Sequence, residues 1–326
     1  MRQSRRRIIM LLAVLWGLLY PWPAAEAFHE ETVLLPLRQG VLEGTWTEPD
    51  GSGPWPAALL IQGSGPADRD GNGPGGAGAG EMALLARGLA ERGVAVLRFD
   101  KGGTGRSAVI QREADLRWQD GTDQAVLWAA LIRQKKEVSA LFLIGHSEGA
   151  LTAMEAAPRV RPDGVVLLAS PGFPAGTLLR KQLIDRFPWL YEKGSAALGQ
   201  LERGETADPR DDRLDFLLRP SVQPFLKGLL SADPQQDMRA LPCAVLILQG
   251  DRDSQVGTEN GKALKEAKPE GELRIIRGMN HVLKTVPPDR ESQEMSYESA
   301  LLPLSPGLAD MTAEWILCIA REKGKV

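Results

Sequence analysis

Residues 145–149 read Gly-His-Ser-Glu-Gly, a G-x-S-x-G pattern that follows the apolar run LFLI. Glycines on both sides of a serine permit a sharp strand-to-helix turn that presents the hydroxyl as a nucleophile. The same five residues also occur by chance in ordinary turns, so the rest of the chain must supply the remaining chemistry. A serine hydroxyl is a weak nucleophile and needs a neighbouring base. The chain has three histidines, His29, His146 and His281. His146 adjoins Ser147, and in a tight turn its ring must point elsewhere. His29 falls where a processed chain would begin and fray. His281 lies in RGMNHVL, just past the last expected strand, where a loop can reach Ser147. His281 is therefore the expected base; the plain alternative is a loop histidine without a role.

An imidazole base needs a carboxylate to hold its tautomer and stabilise its charged form. The segment QGDRDSQV, 249–256, offers Asp251 and Asp253 at a strand end. Asp251 follows Gly250 directly, a place that suits capping the turn. Asp253 lies further out, where the loop can turn toward His281, and is preferred. A tetrahedral oxyanion needs backbone N–H donors. One is expected from Glu148, the residue after the serine. The other is expected from Gln62-Gly63-Ser64-Gly65, with the Ser64 amide first and the Gly63 amide as runner-up.

These residues need elements to carry them. Strand-like pieces occupy 31–37, 40–46 and 57–62, and a glycine-rich loop follows. A helical pattern covers 81–93, ending on Gly93. Apolar strands at 94–99, 140–145 and 164–170 alternate with helices at 123–134 and 149–157. After Pro171 the alternation breaks, and 172–241 holds helix-like segments without a strand. It returns with strands at 244–250 and 272–278 and helices at 258–267 and 308–320. The fold class is α/β: a mostly parallel sheet covered by helices on both faces. The insertion at about 172–241 reads as a helical lid over the sheet's carboxyl edge, where open α/β sheets bind ligands.

The chain ends and composition set limits. Arg2, Arg5, Arg6 and Arg7 precede the short apolar run Ile8 to Tyr20, and Ala25-Glu26-Ala27 is an A-x-A cleavage pattern. Residues 1–27 read as a signal peptide, with the α/β domain at 28–326. Thirteen residues are too few to span roughly 30 Å of hydrocarbon, so no stable membrane anchor is expected after cleavage. The expected location is the periplasm or the medium of a bacterium. Net charge is −3, and removing residues 1–27, with four arginines and one glutamate, leaves −6. That balance argues against nucleic acid as a partner. Three histidines and two cysteines, without HExxH or CxxC, give no metal site, and no cofactor is expected. Cys243 and Cys318 read as two separate buried thiols rather than a bridge.

Five segments in this order, GSGPADRDGN (63–72), RFDKGGTGRS (98–107), GHSEG (145–149), RPSVQPFL (219–226) and GDRDSQV (250–256), resemble the α/β-hydrolase superfamily. Within it the chain is most similar to serine aminopeptidase-like hydrolases and the EstD-type bacterial carboxylesterases, over nearly all of 28–326. The resemblance implies a Ser147, Asp253, His281 triad and cleavage of a small-molecule ester through an acyl-enzyme. Two departures stand near the expected entrance: Gly102, where such proteins often carry arginine, and the glycine-rich stretch Gly73 to Gly80.

Three other functions compete. A peptidase of the same fold uses the same triad, and an aminopeptidase also needs a lid carboxylate for the substrate amine; Glu192, Glu202 and Asp215 are available. A non-catalytic binding protein would keep the fold and leave Ser147 unreactive. Gly73-Pro74-Gly75-Gly76-Ala77-Gly78 fits the G-x-G-x-x-G of an NAD-dependent oxidoreductase. Its first glycine comes eleven residues after Gln62 rather than directly after the strand, and Pro74 removes an amide that could face a phosphate.

Overall fold

Continuous apolar strands can be buried only where both faces of a sheet are covered, and helices cover both faces here. The computed structural model describes residues 27–76, 78–109 and 111–325. The expected signal peptide lies outside these residues apart from Ala27. Nine strands form one sheet: β1 (Phe28–Leu37), β2 (Gly40–Pro49), β3 (Trp55–Ile61), β4 (Ala95–Phe99), β5 (Ala108–Val109), β6 (Val138–His146), β7 (Gly164–Leu168), β8 (Ala244–Gly250) and β9 (Glu272–Ile276). Their order is β1-β2-β4-β3-β6-β7-β8-β9, with β5 paired to β2. From β4 to β9 all pairs are parallel; β1, β2 and β5 add an antiparallel edge.

The helices are α1 (Glu81–Ala90), α2 (Trp118–Ile132), α3 (Glu148–Val160), α4 (Ala175–Arg186), α5 (Tyr191–Glu202), α6 (Asp215–Leu218), α7 (Gln223–Ser231), α8 (Pro234–Ala240), α9 (Thr258–Ala267), α10 (Arg290–Ser296) and α11 (Leu308–Glu322). Alternation along the strands splits the core in two, as a period of two requires. Ala57, Leu59, Leu143 and Ile247 face a layer that includes Trp118, Trp128 and Ala153. Ala58, Leu60, Phe142 and Leu248 face Met82, Leu85, Trp315 and Ile316. Helices α4 to α8 lie between β7 and β8 and form one helical insertion. Among the described residues, no helix is long and apolar enough to cross a membrane.

Two expectations are corrected. His29 does not fray: it sits in β1 opposite Glu48, in a ladder of ten paired positions. Both cysteines are free, but Cys318 is exposed on the outer side of α11, its thiol facing Glu322 one turn on, and Cys243 is half-buried. The helix is amphipathic, and Cys318 falls on its solvent side although its neighbours are apolar.

Candidate active site

Ser147 stands between β6 and α3 with φ 53° and ψ −123°. This backbone is sparsely populated for a residue with a side chain and costs on the order of 1–3 kcal/mol. Local packing holds it there. A Cβ on Gly145 would meet the Gly149 carbonyl oxygen at 2.4 Å, and one on Gly149 would meet the Ile61 oxygen at 2.3 Å. The obstructing atoms are backbone, so neither can yield. Gly145→Ala is accordingly expected to destabilise the fold by about 1–3 kcal/mol, seen as a lower midpoint in thermal unfolding; an unchanged midpoint would show that the elbow has slack. The Ser147 amide donates to the Leu168 carbonyl at 2.9 Å, tying the elbow to the end of β7.

Asp253 and His281, the expected acid and base, arrive from the next two strand ends. Asp253 lies in the loop after β8, and its Oδ1 accepts from the amides of Gln255 at 2.8 Å and Val256 at 2.9 Å. That leaves Oδ2 for His281 Nδ1, at 2.8 Å. Both residues are buried. Asp251 does not reach His281. It is exposed and accepts from the Gly278 amide at 2.6 Å, closing the turn after β9. His281 sits in a tight turn whose anchor is fully buried Asn280, which accepts from the Lys284 amide and donates to Ser296 Oγ. Because Asp253 can only accept, His281 Nδ1 carries the hydrogen and Nε2 is left basic. Among the described residues, no hydrogen bond joins Ser147 Oγ to His281, so the serine arm is open; such contacts often tighten only with substrate present.

His146 has a part that the sequence does not announce. Its Nε2 lies 2.8 Å from the carbonyl of His281, an acceptor only, so His146 is the donor and braces the His281 backbone. Burial, reinforced by the adjacent His281, pushes its pKa down to about 3. It therefore stays neutral across the physiological range and does not compete for protons.

Gly63, two residues past β3, lies against the serine: a Cβ there would lie 3.2 Å from Ser147 Cβ and 3.3 Å from His146 Nδ1. Ser64, the residue after Gly63, is exposed, and Glu148 is the first residue of α3. Lys101, two residues past β4, lies 3.9 Å from Glu148. Burial pulls the Lys101 ammonium down and the Glu148 carboxyl up, each shift opposed by the other's charge. A cavity of about 480 Å3 opens here, walled by Ile61, Phe99, Trp118 and Phe225 and bounded by Gln62 and Glu148. Gly102, one of the departures noted above, also lines it.

The charged loop residues brace the surroundings. Asp100 accepts from the Arg69 amide and guanidinium, both at 2.6 Å, and Arg98 pairs with Asp70 and Glu30. Asp68 caps the amides of Asp70 and Asn72. Among the described residues, no group of three His, Cys, Asp or Glu could hold a metal ion.

Glu81 is the costly member of this region. It is 6% exposed, and its Oε2 has no hydrogen-bond partner. Burial raises its pKa from 4.5 to about 7, against the opposing charge of Lys284. The folded state thus holds this proton more tightly than the unfolded chain, and stability falls as pH rises from about 4.5 through 7. Glu81→Gln is expected to melt above wild type at pH 8, by on the order of 1–3 kcal/mol, and close to it at pH 5. An equal gain at both pH values would assign the effect to packing instead.

The family model for serine aminopeptidase, S33, matches residues 75–285, a span that holds Ser147, Asp253 and His281. The chain belongs to the serine aminopeptidase S33 family. Esterase EstD of Thermotoga maritima is 29% identical over 272 residues, covering 79% of this chain and 61% of that protein. This chain thus spans about three-fifths of that relative's length. Est1E from Butyrivibrio proteoclasticus superposes with a TM-score of 0.58 at 17% identity, over 89% of this chain and 98% of that one. The α/β-hydrolase GrgF from a Penicillium species gives 0.54 at 18% identity, over 78% and 91%. The fold is that of the α/β-hydrolases, and the S33 family places its members there.

Proposed function

We propose that the chain is an exported serine hydrolase that cleaves carboxylic esters through Ser147, Asp253 and His281. The observation that carries this is the 2.8 Å pair of buried Asp253 and His281 beside a serine on a strained elbow. EstD is an esterase by name, which supports the ester over other acyl substrates. His281 Nε2 takes the Ser147 proton as Oγ attacks the ester carbonyl. The Ser64 and Glu148 amides hold the oxyanion, with the Gly63 amide as the alternative to Ser64. The C–O bond to the alcohol breaks, and His281 returns the proton to the leaving alkoxide. Water then repeats the sequence on the acyl-enzyme and releases the acid. Asp253 accepts the Nδ1 hydrogen and stabilises the imidazolium. Helices α4 to α8 act as the lid that shapes the substrate cavity. The arginine-rich start and Ala25-Glu26-Ala27 support export through the inner membrane of a bacterium.

The family description keeps a peptidase in view. An aminopeptidase needs a carboxylate free to hold the substrate amine. The acids lining the cavity are engaged: Glu113 by Arg219 and Ser221, Asp120 by Gln111 and the Arg117 amide, and Glu148 by Lys101. In the insertion, Glu202 is paired with Arg180, and Glu192 and Asp215 lie exposed away from the cavity lining. Purified protein is expected to hydrolyse a p-nitrophenyl ester at least about 100-fold faster than an aminoacyl p-nitroanilide. The reverse ranking would establish the peptidase.

A further inference from the structure

Lys101 occupies an unusual place for a lysine. Its side chain is 24% exposed, and its Nζ donates to the Gly63 carbonyl at 2.8 Å. Among the described residues that is its one hydrogen bond; the Glu148 carboxylate stands at 3.9 Å. A largely buried ammonium with one distant counter-charge is a poor stabiliser, because desolvation offsets the attraction.

The Gly63 carbonyl is one end of a planar peptide whose other end is the Ser64 N–H. In a trans peptide the two point in opposite directions, so holding the oxygen aims the hydrogen. A Cβ at position 63 would sit tightly against Ser147 and His146, and glycine relieves that crowding. Glycine, however, leaves the following peptide free to swivel. The same ammonium faces Glu148, whose backbone N–H is the second donor. We infer that Lys101 is a positioning residue that aligns the oxyanion hole, locking the Gly63–Ser64 peptide on one side and facing Glu148 on the other. This rests on the esterase reading above. A cation on the carbonyl also polarises the peptide and strengthens its N–H as a donor.

The test is hydrolysis of p-nitrophenyl acetate by wild type, Lys101→Met and Lys101→Arg, together with inhibition by phenylboronic acid, which forms a tetrahedral adduct on serine. Deleting an oxyanion donor outright costs ~10²–10³ in kcat, and misaligning one costs less. Lys101→Met is expected to lose about 30-fold in kcat with KM within about threefold, and boronate affinity should fall in parallel. Lys101→Arg keeps a cationic donor and should recover most of the loss. Thermal unfolding of all three proteins separates alignment from folding, since a folding defect lowers the active fraction without weakening boronate binding to that fraction. A kcat within twofold of wild type in Lys101→Met would overturn the inference, as would loss through KM alone or an unrecovered, equally folded Lys101→Arg. Wild type inactive on every ester would instead bring down the esterase reading, a result the variants do not mimic.

Discussion

Ser147→Ala is expected to abolish ester turnover, lowering kcat by about 10⁴- to 10⁶-fold while leaving the fold intact. Alanine keeps the Cβ that the elbow already accommodates at φ 53°, so no new strain arises. Among the described residues the Ser147 hydroxyl makes no hydrogen bond, so its removal orphans no partner. The Ser147 amide retains its bond to Leu168. Wild-type and variant unfolding midpoints should therefore agree within a few degrees, while the nucleophile is gone. Residual hydrolysis would come from the oxyanion hole and binding alone. Full activity toward p-nitrophenyl acetate in the variant would remove Ser147 from the mechanism.

Asp253→Asn is expected to cost about 10⁴-fold in kcat through a change of tautomer. Oδ1 accepts two backbone amides, from Gln255 and Val256, and asparagine must keep its carbonyl oxygen there. Its NH2 then faces His281 Nδ1, which can only accept. The ring proton moves to Nε2, and the base can no longer take the serine proton. Asp251→Asn is the matched control: its oxygen can still accept from the Gly278 amide, and the loss should stay within about threefold. A larger loss in Asp251→Asn than in Asp253→Asn would reverse the two roles.

The parts of this site that rest on local pattern are readable in the sequence. The elbow depends on two glycines four residues apart, and the strands depend on runs that stay apolar from end to end. The Asp253–His281 contact spans 28 positions and is legible only because both residues follow strands that must lie side by side. What escapes the sequence depends on distant packing. His146 looks like a bystander until the His281 carbonyl is found 135 positions away. Lys101 does not stand out in the sequence because nothing in RFDKGG points to Gly63. His29 reads as a frayed end because its strand partner, Glu48, lies across a hairpin. Cys318 is surrounded by apolar letters, and only the orientation of α11 puts it outside. The cavity wall joins β3, β4, α2 and α7, four separate stretches whose side chains meet only in the folded state.

The central claim is that Ser147 is an activated nucleophile. Labelling with a fluorophosphonate probe, wild type beside Ser147→Ala, tests it most directly, read by intact mass and peptide mapping. One adduct per wild-type chain, on the peptide containing Ser147 and absent from the variant, is the expected result. A well-folded wild type that takes no label, or takes it on another serine, would contradict the account and leave an α/β-hydrolase fold that binds without catalysing through this elbow.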